Sequence, residues 1–146
     1  MRHNVLKFFN FFHHQAFKSP LILIVDDNPV DRELIGQILK KEYRCVTSEN
    51  GQDSVAKALA LKPNLILMDC HMPKMNGMEA CQELSRHEAT KHIPVIFLTG
   101  NDVAENVFGC FDTTARLYLT KPIIPRLLRD KIAQTLAGHA PNNRAI

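Results

Sequence analysis

The stretch Leu21-Ile22-Leu23-Ile24-Val25-Asp26-Asp27-Asn28-Pro29 joins five consecutive branched apolar residues to an acidic pair and a turn. A run this short, apolar at every position, suits a strand covered by helices on both faces of its sheet. Pro29 suits the first turn of a helix, where its missing N–H would have no partner anyway. Val30, Leu34, Ile35, Ile38 and Leu39 then form a helix-period stripe within residues 29–41. One βα unit is thus written into the first twenty residues after Pro20.

The same alternation recurs along the chain. Strand-sized apolar runs occupy residues 43–47, 64–68, 94–98 and 117–119. Helical stretches are expected over 54–61, 77–87 and 102–108, and Leu128, Ile132 and Leu136 recur every four residues in a last helix. Five strands alternating with single helices predict an α/β fold with a doubly wound parallel sheet, (βα)5, built from right-handed crossovers. Function in such a sheet is sited at the carboxyl ends of the strands. The domain is expected over residues 20–138, preceded by an appendage at 1–19 and followed by a polar tail at 139–146.

With 146 residues, 45% hydrophobic and 23% charged, the chain is long enough to bury a core without crosslinks or a structural metal. Eighteen basic against fifteen acidic residues leave a charge of +3, too small and too scattered for a nucleic-acid partner. Cys45, Cys70, Cys81 and Cys110 include no C-x-x-C and no zinc-ligand spacing, so four reduced thiols are expected. No apolar run approaches the roughly 20 residues of a membrane span, and no signal-peptide pattern opens the chain. A cytoplasmic location follows as the expectation. The histidines His3, His13, His14, His87, His92 and His139 form no i, i+4 pair that would suggest a metal site.

Chemistry gathers at the expected strand ends. Asp26-Asp27 follows the first run, Asp69 the third, Thr99 the fourth and Lys121-Pro122 the fifth. In a parallel sheet these positions lie side by side, and three converging carboxylates repel unless a cation intervenes. Oxygen-only ligands in a half-open site favour Mg²⁺, which keeps several waters and pairs with phosphate oxygens. Such a set suits phosphoryl transfer, with Asp69 as nucleophile, Lys121 neutralising charge and the Thr99 hydroxyl donating a hydrogen bond.

The segments Ile22-Leu23-Ile24-Val25-Asp26-Asp27-Asn28-Pro29, Leu67-Met68-Asp69-Cys70-His71-Met72-Pro73-Lys74-Met75-Asn76-Gly77, Phe97-Leu98-Thr99-Gly100 and Tyr118-Leu119-Thr120-Lys121-Pro122-Ile123, taken together and in this order, resemble the receiver domains of two-component response regulators. The likeness spans about residues 20–138 and includes the single-domain chemotaxis type. It implies a flavodoxin-like sheet of strand order 2-1-3-4-5. It implies Asp69 as phosphoacceptor, and Asp27, Asp69 and the His71 backbone carbonyl as direct Mg²⁺ ligands, with Asp26 acting mainly through water. Thr99 and Tyr118 would be the switch pair, and Lys121 the phosphoryl partner ahead of a cis peptide to Pro122. The implied donor is a sensor histidine kinase or a histidine phosphotransfer protein, and the implied output is contact with a downstream protein rather than turnover of a substrate. Gly100 stands where relatives often carry alanine, and Thr114-Ala115 where they often carry a Gly-Ala pair.

Other classes fit less well. An aspartyl-phosphate enzyme of the dehalogenase type places its nucleophile on the first strand as Asp-x-Asp, which Asp26-Asp27-Asn28 does not supply. No Gly-rich phosphate loop follows the first strand, against a GTPase or dinucleotide enzyme. A receiver reduced to a docking scaffold would have lost one of the acidic or basic residues, and all are present.

One feature lies outside this scheme. Five of the eight Phe fall in the first 17 residues, and Val5, Phe8, Phe9, Phe12 and Ala16 share one helical face beside Arg2, Lys7 and Lys18. A face of this kind needs cover: its own domain, a second copy in a homodimer through residues 1–18, or a membrane surface.

Overall fold

The computed structural model describes residues 19–100 and 115–138. In chain order they form β1 (Leu21–Val25), α1 (Pro29–Leu39), β2 (Arg44–Ser48), α2 (Gly51–Leu61), β3 (Leu65–Asp69), α3 (Gly77–Ser85), β4 (Val95–Thr99), β5 (Ala115–Thr120) and α4 (Pro125–Gly138). The five strands pair in parallel in the order β2-β1-β3-β4-β5. The sheet and its order match the expectation. The helix expected over 102–108, the Phe-rich segment and the polar tail lie outside the described residues.

Strand periodicity explains why both faces are apolar. Leu23, Val25, Ile66, Met68, Val95 and Phe97 face one side, where they meet Ala58 of α2 and Ala80, Cys81 and Leu84 of α3. Their alternates Ile22, Ile24, Leu65, Leu67, Ile96 and Leu98 meet Ile35 and Leu39 of α1 and Leu128 and Ile132 of α4 on the other. Strands β1, β3 and β4 thus stand between two helical layers, the condition a continuous apolar run requires. Among the described residues, Cys45, Cys70 and Cys81 are in no disulfide bond.

The boundaries that differ do so for local reasons. Strands β3 and β4 each run one residue further than expected, so Asp69 and Thr99 end their strands rather than follow them. Their backbones stay in register with Leu98 and Thr120 respectively, and the next amide, Cys70 N, donates to Leu98 O at 3.0 Å. Helix α2 begins at Gly51 because the Asn50 side chain accepts from Asp53 N at 2.8 Å, an N-cap the apolar stripe does not register. Helix α3 is opened by a reciprocal pair, Asn76 accepting from Glu79 N at 2.9 Å and Glu79 accepting from Asn76 N at 3.4 Å.

Candidate functional site

The carboxyl edge of the sheet is where the acidic residues meet. Asp26, one residue past β1, is fully buried; its Oδ1 accepts from Asn28 N at 2.9 Å and its backbone N–H donates to Ser48 O at 3.1 Å. Asn28 in turn caps α1 by accepting from Val30 N at 2.9 Å, so the residues that start the helix also orient Asp26. Asp27 is exposed beside it. Asp69, at the end of the central strand β3, accepts from His71 N at 3.1 Å through Oδ1. One carboxylate oxygen from each of Asp26, Asp27 and Asp69 lies within 4.8 Å of the others.

Lys121 closes the group from β5. Its Nζ donates to Asp26 Oδ2 at 2.8 Å and to Asp31 Oδ2 at 3.1 Å, and stands 3.7 Å from Asp69 Oδ2. Three carboxylates, those of Asp26, Asp31 and Asp69, therefore share one ammonium. Burial, more than any other influence, pushes the Asp69 carboxyl up to about 7, and the Asp26 charge adds to this against the His71 N–H and Lys121. For Lys121 burial works the other way, yet the Asp26 hydrogen bond, the Asp69 and Asp26 charges and the Asp31 hydrogen bond outweigh it and hold the ammonium above its ordinary value.

Two further groups face this edge. Thr99 is fully buried, and its Oγ1 is a buried side-chain oxygen with no hydrogen-bond partner among the described residues. An orphaned hydroxyl at a strand end beside Asp69 is what an oxyanion there would satisfy, since leaving it unpaired costs about 1–3 kcal/mol. Gly77 packs its backbone onto β3: an added Cβ would collide with the Asp69 carbonyl oxygen and lie 3.0 Å from Met68 Cγ. At Gly100 an added Cβ would meet nothing within 4 Å among the described residues.

Hard oxygen donors crowded to this degree fit a divalent cation. Asp27 and Asp69 are the freer donors, because both Asp26 oxygens already accept from Asn28 N and Lys121. A groove of about 560 Å³ opens beside them, lined by Asp27, Cys70, His71, Met72, Pro73, Asn76 and Met78. The Lys121–Pro122 peptide bond is cis. Tyr118, in register with Phe97 on β4, is 39% exposed. The structure thus brings together Asp26, Asp27, Asp69, Thr99 and Lys121, with His71 at the rim and Tyr118 on the β5 side. Asp31 joins them although sequence reasoning passed over it; an acid in the first turn of a helix reads as a partner of the helix dipole.

A family profile of the response regulator receiver domain matches residues 22–133. The chain belongs to the response regulator receiver family. Among curated relatives this receiver is 39% identical to protein PilH of Pseudomonas aeruginosa over 118 residues, 80% of this chain and 98% of that one. It is 37% identical to the phosphate regulon transcriptional regulatory protein PhoB of the same species, spanning 84% of this chain but 54% of PhoB. Among solved structures it is similar to the Vibrio cholerae chemotaxis protein CheY4, with TM-score 0.75 at 26% identity over 80% of this chain and 98% of that one. The receiver domain of a sensor histidine kinase from Pseudomonas aeruginosa, solved with a magnesium ion coordinated in its active-site cleft, gives TM-score 0.74 at 29% identity over 82% and 98%. No helix among the described residues is long and apolar enough to cross a membrane.

Proposed function

We propose that this receiver accepts a phosphoryl group on Asp69 from a phosphohistidine of a sensor histidine kinase or histidine phosphotransfer protein, in a Mg²⁺-dependent reaction. The observation that carries the reading is the acidic cluster around Asp69 with a lysine ammonium 3.7 Å from its carboxylate, on a sheet edge where the neighbouring strand ends in a buried hydroxyl without a partner among the described residues. Asp27, Asp69 and the His71 carbonyl would hold the metal directly, with Asp26 reaching it through water. When bound, Mg²⁺ supplies the positive charge that lets an anionic phosphoryl group approach three carboxylates.

The chain's own residues do the rest. An Asp69 carboxylate oxygen forms the new O–P bond while the P–N bond breaks, its electron pair leaving with the imidazole. The His71 N–H holds Asp69 in place at its Oδ1. Lys121 neutralises charge on the transferred group, and the Thr99 hydroxyl turns toward its oxygens. Movement of Thr99 opens room for Tyr118, which converts a charge event into a packing change on the face of β5 and α4. That face would meet the downstream protein target. The domain acts as a signalling module in the cytoplasm, with slow self-dephosphorylation as its only turnover.

Uptake of phosphate from acetyl phosphate should proceed with Mg²⁺ and stop when the metal is chelated. Equal uptake in chelator would remove the metal from the account.

A further inference from the structure

Lys121 is held unequally. Its ammonium has three N–H donors. Two are engaged by Asp26 Oδ2 at 2.8 Å and Asp31 Oδ2 at 3.1 Å, while Asp69 Oδ2 stands at 3.7 Å, beyond hydrogen-bond length. The two engaged partners differ in one respect. The Asp26 side chain is 0% exposed, so releasing Lys121 would leave a buried carboxylate short of a donor, whereas the Asp31 side chain is 29% exposed and water can replace the lysine there.

We propose that Asp31 is a positioning residue that holds Lys121 back from Asp69 in the resting domain and yields it when a phosphoryl group arrives. This rests on the phosphoacceptor reading above. Phosphoryl oxygens then compete with Asp31, not with Asp26, for the ammonium. The Asp26 contact keeps Nζ at the site throughout, and the Asp31 contact sets how much of the ammonium is available. Position in the fold supports the pairing: Asp31 lies in the first turn of α1, one turn after Asp27, so the helix that begins beside the acidic pair carries the competing carboxylate over Lys121.

The test uses beryllofluoride with saturating Mg²⁺, a non-covalent stand-in for the phosphoryl group, titrated into the full chain and followed by backbone amide shifts. Asp31→Asn should bind it several-fold more tightly than wild type, and Asp31→Glu should return the affinity toward wild type. Loss of a negative charge alone would also favour an anion, so Glu33→Gln, an exposed acid on the same helix, is the control and should change affinity far less. In a Lys121→Ala background the Asp31→Asn effect should vanish, because no ammonium remains to be released. Equal shifts in Asp31→Asn and Glu33→Gln, or an undiminished effect without Lys121, would overturn the role of Asp31 while leaving the phosphoacceptor reading intact. Failure of the wild-type chain to bind the analogue would overturn both.

Discussion

Asp69 is the residue on which the chemistry and the stability of the domain pull in opposite directions. Burial and the Asp26 charge move its carboxyl from an ordinary 3.8 up to about 7. A carboxyl whose value rises on folding stabilises the native state fully below its unfolded value, and that stabilisation is lost as pH climbs through the folded one. At about 1.4 kcal/mol per unit, the loss has a ceiling of roughly 4 kcal/mol. In chelator, Asp69→Asn should therefore be more stable than wild type at pH 8, with the gap closing toward pH 5. Urea unfolding at the two pH values measures it, and a gap independent of pH would contradict the electrostatic account. Adding Mg²⁺ should raise the wild-type melting temperature more at pH 8 than at pH 6, because ion and proton compete for the same oxygens. Asp26, Asp27, Asp69, Thr99 and Lys121 were all legible as strand-end residues. Asp31 was not, because its partner Lys121 is 90 positions away and helix periodicity carries no information about contacts between distant elements.

At the scale of elements, the junction of β3 with α3 determines how Asp69 is presented. Helix α3 begins at Gly77 because Asn76 caps it, and its first residue must lie against the Asp69 carbonyl. Gly77→Ala forces a Cβ into that backbone and should cost about 1–3 kcal/mol, with slower phosphorylation as β3 shifts. Gly36→Ala, in the middle of α1 with nothing within 4 Å of the new Cβ, should instead stabilise by about 0.5–1 kcal/mol. Denaturant midpoints of the two variants moving in the same direction would contradict this. Strand β1 was legible to the residue because all five positions are branched and apolar. Strands β2, β3 and β4 were each displaced by one, because an apolar run does not fix the residue at which backbone pairing ends. Side-chain caps such as Asn50 carry no apolar signal, which is why α2 starts three residues earlier than its stripe.

For the whole molecule, length and the alternation of short apolar runs with amphipathic stretches were enough to specify a parallel sheet. The strand order came from the family likeness, because periodicity does not say which strands are neighbours. Residues 1–18 lie outside the described residues, and the receiver family likeness does not extend to them. Their Phe-rich face is predicted to cover an apolar surface: the domain itself, a second copy in a homodimer, or a membrane surface. Deleting them should change molar mass by light scattering, solubility or liposome co-sedimentation, and a truncated chain identical in all three would contradict that role. The central claim is that Asp69 alone takes the phosphoryl group. Intact-mass measurement after incubation with Mg²⁺ and acetyl phosphate tests it most directly: wild type should gain one phosphate mass and Asp69→Asn none. A phosphate adduct on Asp69→Asn at the wild-type rate would contradict the account.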